Sequence, residues 1–390
     1  MKTVANMRDS VSGMLQGLNL NNVTNLYVAF ERVARQLVLE LSIPETIATQ
    51  QFSLYDGVTD YQAPADMFAT GIVDIRQQGT SRPPTDSVQK QYIGQWDRSK
   101  NWVSQGTKMT VEYDKGTGVL RVASSHTIPR IEIDPMTETT GWTADGVVVS
   151  GLTTDVSTSW RSPSSLMLTA TIGTGTITKT ITSTDLTSYQ TFSKAFLAFY
   201  APDISDLAYV TLKIGSSASN YYQMQASTGT IRPFTSGLWQ LASFDMETKT
   251  TVGTPDITKM TYAQVGFTST GTIYNLHVGG LWFSLPSPHE LLYPTDAIFL
   301  PSGSTTPIQT ITNNSDSIIL NNSAYAIYEV KCAIEVSLQQ GGSLSSGIMN
   351  ALIQRLHGSP NTIGMMQKYR ADNPAQELRT VGSYYSTRGG

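Results

Sequence analysis

Cysteine is nearly absent from this chain. Among 390 residues there is one, Cys332. An intrachain disulfide framework is therefore excluded. The thiol's place in the apolar run AYAIYEVKCAIEVSL reads as a small buried side chain rather than a nucleophile. Charge is also scarce. Only 14% of residues are Asp, Glu, Lys or Arg, and the net charge is −4. That excludes a polyionic disordered tail. It also excludes a nucleic-acid binder that works through clustered Lys and Arg. No run approaches the roughly 20 apolar residues of a membrane-spanning helix. The first residues, MKTVANMRDS, have neither an apolar core nor a cleavage-site pattern of a secretory signal. The expectation is a soluble chain made in a cytoplasm, without membrane insertion.

Catalytic signatures are missing as well. His126, His277, His289 and His357 lie far apart and show no metal-ligand spacing. The glycine-containing stretches GSSAS and GTGTIT lack the Lys and the strand-to-helix setting of a phosphate loop. No G-x-S-x-G elbow occurs. The carboxylate pairs Asp203/Asp206 and Asp56/Asp60 sit in turn-like sequence, where turn hydrogen bonding accounts for Asp. No catalytic, cofactor-binding or metal-ligating residue is assigned, and the protein is not expected to be an enzyme.

What is present is a change of composition in mid-chain. Residues 137–285 are dense in Thr, Ser and Gly and alternate strand and turn at short intervals with no helical period. Their acidic and basic side chains nearly balance. This spacing predicts an antiparallel β-sandwich of the jelly-roll kind with its own core, inserted into a flanking part made of residues 1–136 and 286–376. Trp239 and Trp282 lie in alternating apolar strands and read as core. Trp160, in a polar loop, and the consecutive Tyr221 and Tyr222 are the better candidates for stacking on a sugar ring. Asp155 or Asp245 is a candidate oxygen ligand for a structural Ca²⁺.

The flanking part reads as α+β, mainly helical with small β elements. Val23, Leu26, Phe30, Val33, Leu37 and Leu41 form a helical stripe that Asn21 or Asn22 caps. Asp56-Gly57 marks a turn, and KMTVEYDKGTGVLRVAS reads as a hairpin. A helix after Asn322 or Ser323 stops at Gly341-Gly342, and two further helices follow. The stripe and the helix at 324–338 are expected to pack together. Residues 377–390, ELRTVGSYYSTRGG, are too polar to form a core and read as a docking arm, with Val381, Tyr384, Tyr385 and Arg388 as its contact residues.

The flanking part resembles the head-to-tail adaptor, or neck, proteins of tailed bacteriophages. The resemblance is carried by LYDGVTDYQAPADMFATGIVDIR, by SPHELLYPTDAIFL with SDSIILNNSAYAIYEVKCA, by MMQKYRADNPAQE, and by the tyrosine-bearing tail. The inserted segment resembles galactose-binding-like carbohydrate-binding modules through TTGWTADG, SPSSLMLTATIG, FLAFYAPDISDLAYVTLKIGSSASNYYQMQ, GLWQLASFDM and TYAQVGFTSTGTIYNLHVGGLWF. Together these resemblances imply a virion structural protein located in the neck. They imply a twelve-fold homo-oligomeric ring between portal and tail proteins, with DNA passing through its channel without specific binding. The sandwich would be an outward decoration open to a host glycan. The alternative implied by the second resemblance is a glycan-binding virion protein or adhesin in which the sandwich is the working part.

Overall fold

A computed structural model describes residues 2–16, 18–20, 23, 25–41, 43–67, 74–77, 109–114, 118–124, 127–226, 234–339 and 346–373. The loop-rich stretch 79–106 and the arm with Val381, Tyr384, Tyr385 and Arg388 lie outside the described residues. The described structure is mostly β-sheet, with five α-helices at its two ends.

The helices are α1 (Val4–Met14), α2 (Leu26–Glu40), α3 (Asn322–Gln339), α4 (Ser346–His357) and α5 (Met365–Asp372). Thr3 caps α1, its hydroxyl accepting from the Asn6 N–H while the Asn6 side chain accepts from the Thr3 N–H. Asn25 precedes α2 with a φ of 59°, in the left-handed region that asparagine tolerates, and makes no side-chain capping hydrogen bond; Asn21 and Asn22 lie outside the described residues. The α3 cap lies one residue before the expected pair: the Asn321 side chain accepts from the Ala324 N–H. A two-residue hairpin, Gly358–Ser359 against Thr362–Ile363, precedes α5 and delays its start.

The stripe on α2 meets α3 in one core. Leu26, Phe30, Val33 and Leu37 are buried with Tyr325, Tyr328 and Cys332, and Val4, Met7 and Val11 of α1 join them. The Tyr328 hydroxyl donates to the Phe30 carbonyl at 2.9 Å. At the solvent edge Arg32 pairs with Glu335, and Lys331 with Glu40 at 2.7 Å. Segments separated by the whole insert in sequence are thus joined by burial of apolar surface, the term that dominates folding.

The sandwich strands are β1 (Arg130–Asp134), β2 (Trp142–Ala144), β3 (Val149–Asp155), β4 (Ser165–Ala170), β5 (Gly173–Thr184), β6 (Lys194–Tyr200), β7 (Leu207–Ser217), β8 (Asn220–Ala226), β9 (Gln240–Asp245), β10 (Thr250–Val252), β11 (Met260–Ser269) and β12 (Ile273–Ser284). One sheet runs β9-β6-β12-β4-β3, with β1 also on β12; the other runs β10-β8-β7-β11-β5-β2. All pairings are antiparallel. β1, which precedes residue 137, also pairs with β12 in the first sheet. Inward residues such as Leu166, Leu197, Phe199, Leu212, Phe244, Val265, Phe267 and Phe283 are fully buried between the sheets.

The two outer faces differ. That of the first sheet is docked on the flanking part. Phe196, Ala198 and Trp282 share an apolar cluster with Leu54, Tyr55, Val58, Tyr61, Leu120, Val122, Leu291 and Tyr293. Those partners come from small sheets beside the sandwich. In one, Ser287–Pro294 lies between Ile47–Leu54 and Asp74–Gln77; in another, Val119–Ser124 lies between Asp60–Gln62 and Met109–Asp114. Trp282 stacks on Phe196 at 5.7 Å and donates its indole N–H to the Asp56 carbonyl at 2.9 Å. The Asp56 N–H in turn donates to Ser284 Oγ at 2.9 Å. Gly57 has φ +82°, and a Cβ there would stand 2.9 Å from Trp282. The Asp56-Gly57 turn is therefore shaped to receive the indole.

Trp282 is buried, as expected of a core residue, in the cluster on the outer face of its sheet. It is 4% exposed, but its neighbours Leu281 and Phe283 are the ones that enter the sandwich core. Alternation along a strand sends the tryptophan out, where the flanking part covers it. Phe30→Ala is expected to lower stability by roughly 3–5 kcal/mol, since the ring is fully buried. Thermal or urea unfolding measures this; an unchanged melting temperature would refute the helical packing described.

Candidate functional site

The outer face of the second sheet carries none of the flanking part among the described residues. Strand register arranges it in rows. Thr178 faces Gln264, Gln264 faces Lys213, Lys213 faces Gln223, and Gln223 faces Thr250. The next outward row is Thr180, Tyr262, Gly215, Tyr221 and Val252. On the other side lie Thr176, Gly266, Thr211 and Gln225. The intervening positions Ile177, Val265, Leu212 and Met224 point into the core. The alternation follows from the period of two along each strand.

Tyr221 and Tyr262 are on strands separated by β7, yet their ring centroids are 6.5 Å apart. They approach over Gly215, which has no side chain. A Cβ at Gly215 would lie 2.6 Å from the Tyr221 Cβ and 2.2 Å from the Asn220 carbonyl. Gly266 has a similar role: a Cβ there would stand 2.3 Å from the Thr211 hydroxyl. Glycine inside a strand marks such close approach. The Gln264 amide donates to Thr178 Oγ1 at 3.1 Å, which fixes its orientation. Lys213 Nζ stands 4.9 Å from the centre of the Tyr221 ring. Burial pushes the Tyr262 phenol above its ordinary range, so it stays a neutral donor and acceptor. No Asp or Glu occupies these rows. The described rows offer hydroxyls, carboxamides, tyrosine rings and one ammonium, a set that hydrogen-bonds and stacks.

The three sugar-stacking candidates do not converge. Tyr221 lies on this open face. Tyr222, its neighbour, points inward and is packed in the sandwich core. Trp160 is on the other sheet's side, at the rim of the docked interface. There its ring is 5.9 Å from Trp239, Trp239 is 5.9 Å from Tyr200, and Tyr200 is 5.6 Å from His277. Trp239, read from sequence as core, is half-buried at this rim. Tyr262, Lys213 and Gly215 escaped the sequence reading. Their signal is the polar alternation Tyr262, Gln264, Gly266, Thr268 in β11 and Tyr209, Thr211, Lys213, Gly215 in β7.

At the rim, Ser165 Oγ and Asp155 Oδ2 approach His277, but both approach the same nitrogen, Nδ1, at 3.2 and 3.5 Å. A relay to a nucleophile needs the two partners on different ring nitrogens. Asp155, a candidate Ca²⁺ ligand, is engaged locally. Its oxygens accept from the Ser157 N–H and hydroxyl. Asp245 is occupied by Lys194 at 2.8 Å and by the Glu247 N–H. Among the described residues no group of three or more metal-binding side chains gathers at either.

Burial lowers the His277 pKa below its ordinary value, with the Asp155 charge opposing. The unfolded chain therefore takes up this proton first as pH falls. Stability due to His277 is present above about pH 6.5, the unfolded value, and declines below it. Melting temperatures between pH 7.5 and 5.5 are expected to fall less in His277→Gln than in the parent. Parallel curves would count against this assignment.

No known family model matches the chain, and no curated protein sequence matches it. Several solved structures are similar to part of it. The family 11 carbohydrate-binding module from Clostridium thermocellum, in complex with a β-1,3-1,4-mixed-linked tetrasaccharide, is 9% identical, with 41% of this chain and 97% of that chain covered and a TM-score of 0.30. The family 30 module of a Clostridium thermocellum cellulosomal cellulase is 9% identical, covering 40% and 98%, with a TM-score of 0.31. A xylan-binding domain from Paenibacillus barcinonensis is 10% identical, covering 40% and 92%, with a TM-score of 0.27. The sandwich is defined by its own strand pairing.

Proposed function

We propose that the chain is a glycan-binding structural protein of a virion, in which the open sheet of the sandwich contacts carbohydrate and the flanking part holds the sandwich in place. One observation carries the glycan half. Of the sandwich's two outer faces, one is sealed by the flanking part, while the other, among the described residues, presents uncharged polar groups, glycines, an apolar edge residue, one lysine, Tyr209 and the paired rings of Tyr221 and Tyr262. Such a face suits a polyhydroxylated ligand: rings stack on the C–H side of a sugar, and amides and hydroxyls meet its edge groups. A rigid sheet holds these groups at fixed spacing, which limits the entropy lost on binding.

The anchoring half is read as the head-to-tail adaptor that the flanking sequence resembles. It is favoured by apolar side chains left exposed on the helical part. Val28, Leu338 and Ile363 are 58%, 61% and 78% exposed, which suits burial against neighbouring subunits. Negative-stain microscopy of the purified full chain is expected to show closed rings. Monomers at every concentration would remove the adaptor half while leaving the glycan half intact.

The glycan half is tested by affinity electrophoresis and calorimetry of the full chain against neutral and uronic-acid polysaccharides. The expected result is binding that falls about tenfold or more in Tyr221→Ala/Tyr262→Ala, corresponding to roughly 1.4 kcal/mol. Trp160→Ala is expected to retain binding. No binding across the panel, or binding unaffected by loss of both tyrosines, would sink the reading.

A further inference from the structure

The half-buried lysines of the sandwich differ in one respect. Lys179 pairs with Asp134 at 2.7 Å, and Lys194 with Asp245 at 2.8 Å. Lys249 donates to the Gln190 and Met246 carbonyls at 3.2 and 2.9 Å. Lys213 has neither carboxylate nor carbonyl among the described residues. Its ammonium has only the face of Tyr221, at 4.9 Å. It stands in the middle of the outward row, one strand from Gln264 on one side and from Gln223 on the other. Partly buried charges ordinarily find an opposite charge or strong acceptors. Here the row contains no acid at all. The side chain is also held, because the ring of Tyr221 lies under the ammonium and Gly215 lets that ring sit close to the sheet.

We infer that the glycan received by the open sheet is acidic, with Lys213 as the specificity-determining residue that takes a sugar carboxylate between the carboxamides of Gln264 and Gln223. The inference rests on the glycan reading above and deepens it. The carboxylate completes the ammonium's charge pairing, and the Gln223 amide N–H donates to its oxygens, while the Gln264 amide is already given to Thr176 and Thr178. The Tyr221–Tyr262 pair stacks on the ring that bears it. A neutral glycan makes the stacking contacts but leaves the ammonium unpaired. An acidic one gains a charge-assisted contact in a half-desolvated setting, where it is worth more than in bulk water.

The test uses the full chain and matched pairs of ligands: uronic-acid polymers, and the same polymers after reduction of their carboxyls to primary alcohols. Sialylated and desialylated oligosaccharides form a second pair. The parent is expected to bind at least one carboxylated member about tenfold more tightly than its neutral partner, with the advantage shrinking as salt rises. Lys213→Met is expected to erase that advantage, so that both members of each pair bind equally. Lys213→Arg is expected to keep most of it, and Lys213→Gln serves in place of Lys213→Met if that variant fails to fold. Equal affinity for both members of every pair, with binding still dependent on Tyr221 and Tyr262, overturns the acidic class and leaves the glycan reading standing. A preference that survives in Lys213→Met overturns the role of Lys213. Absence of all binding overturns both.

Discussion

The structure depends on one interface, the docking of Phe196, Ala198 and Trp282 onto the small sheets of the flanking part. A sandwich has two outer faces, and ordinarily water solvates both. Here one is apolar and sealed. The Trp282 indole is buried by stacking on Phe196, and its N–H is satisfied by the Asp56 carbonyl, so the burial leaves no polar group stranded. The Asp56-Gly57 turn belongs to the YDGV stretch of the flanking part. In this chain that turn is also the latch for the insert. Asp66 of the nearby PAD triplet is similarly structural, accepting from the Tyr293 and Thr295 hydroxyls at 2.9 Å each.

Sealing one face decides what the other is for. An insert tethered only at its ends would tumble and present both sheets. This one is held by an apolar contact beyond its two chain crossings, so its orientation is set and a single sheet faces away from the flanking part. The sandwich also carries its own fully buried core between the sheets. Excising it would nevertheless uncover Phe196, Ala198 and Trp282, so independence of the core does not mean independence of the domain.

The open face is unusual for its charge as much as its shape. Exposed strand surfaces commonly carry Lys and Glu, which blunt aggregation. Here threonines and glutamines do the solvating, and the ring pair over Gly215 breaks the flatness. The single ammonium at its centre is then a strong local feature, since nothing in the outward rows competes for it.

Much of this was legible in the sequence. The stripe on α2 and the apolar run of α3 each recur at helical spacing, and that period alone fixes which faces bury. The strand-turn rhythm between Trp142 and Ser284 specifies an antiparallel sandwich, because alternation with short turns admits little else. Alternation along a strand also separates Tyr221 from Tyr222 in principle, but it does not say which one points inward. That depended on the register with β7, which sends Tyr222 toward Ile214 and into the core and leaves Tyr221 beside Gly215. Trp282 shows the same limit. Its strand has apolar residues on both faces, and a one-dimensional pattern cannot distinguish a core from a covered exterior. Tyr262 and Lys213 are dozens of residues apart, and only strand pairing brings them to adjacent rows. Helices and alternation are local consequences of backbone geometry, so the sequence determines them by itself. Which face is sealed, and which side chains meet on the other, is settled by long-range pairing and burial, and so was decided only by the tertiary structure.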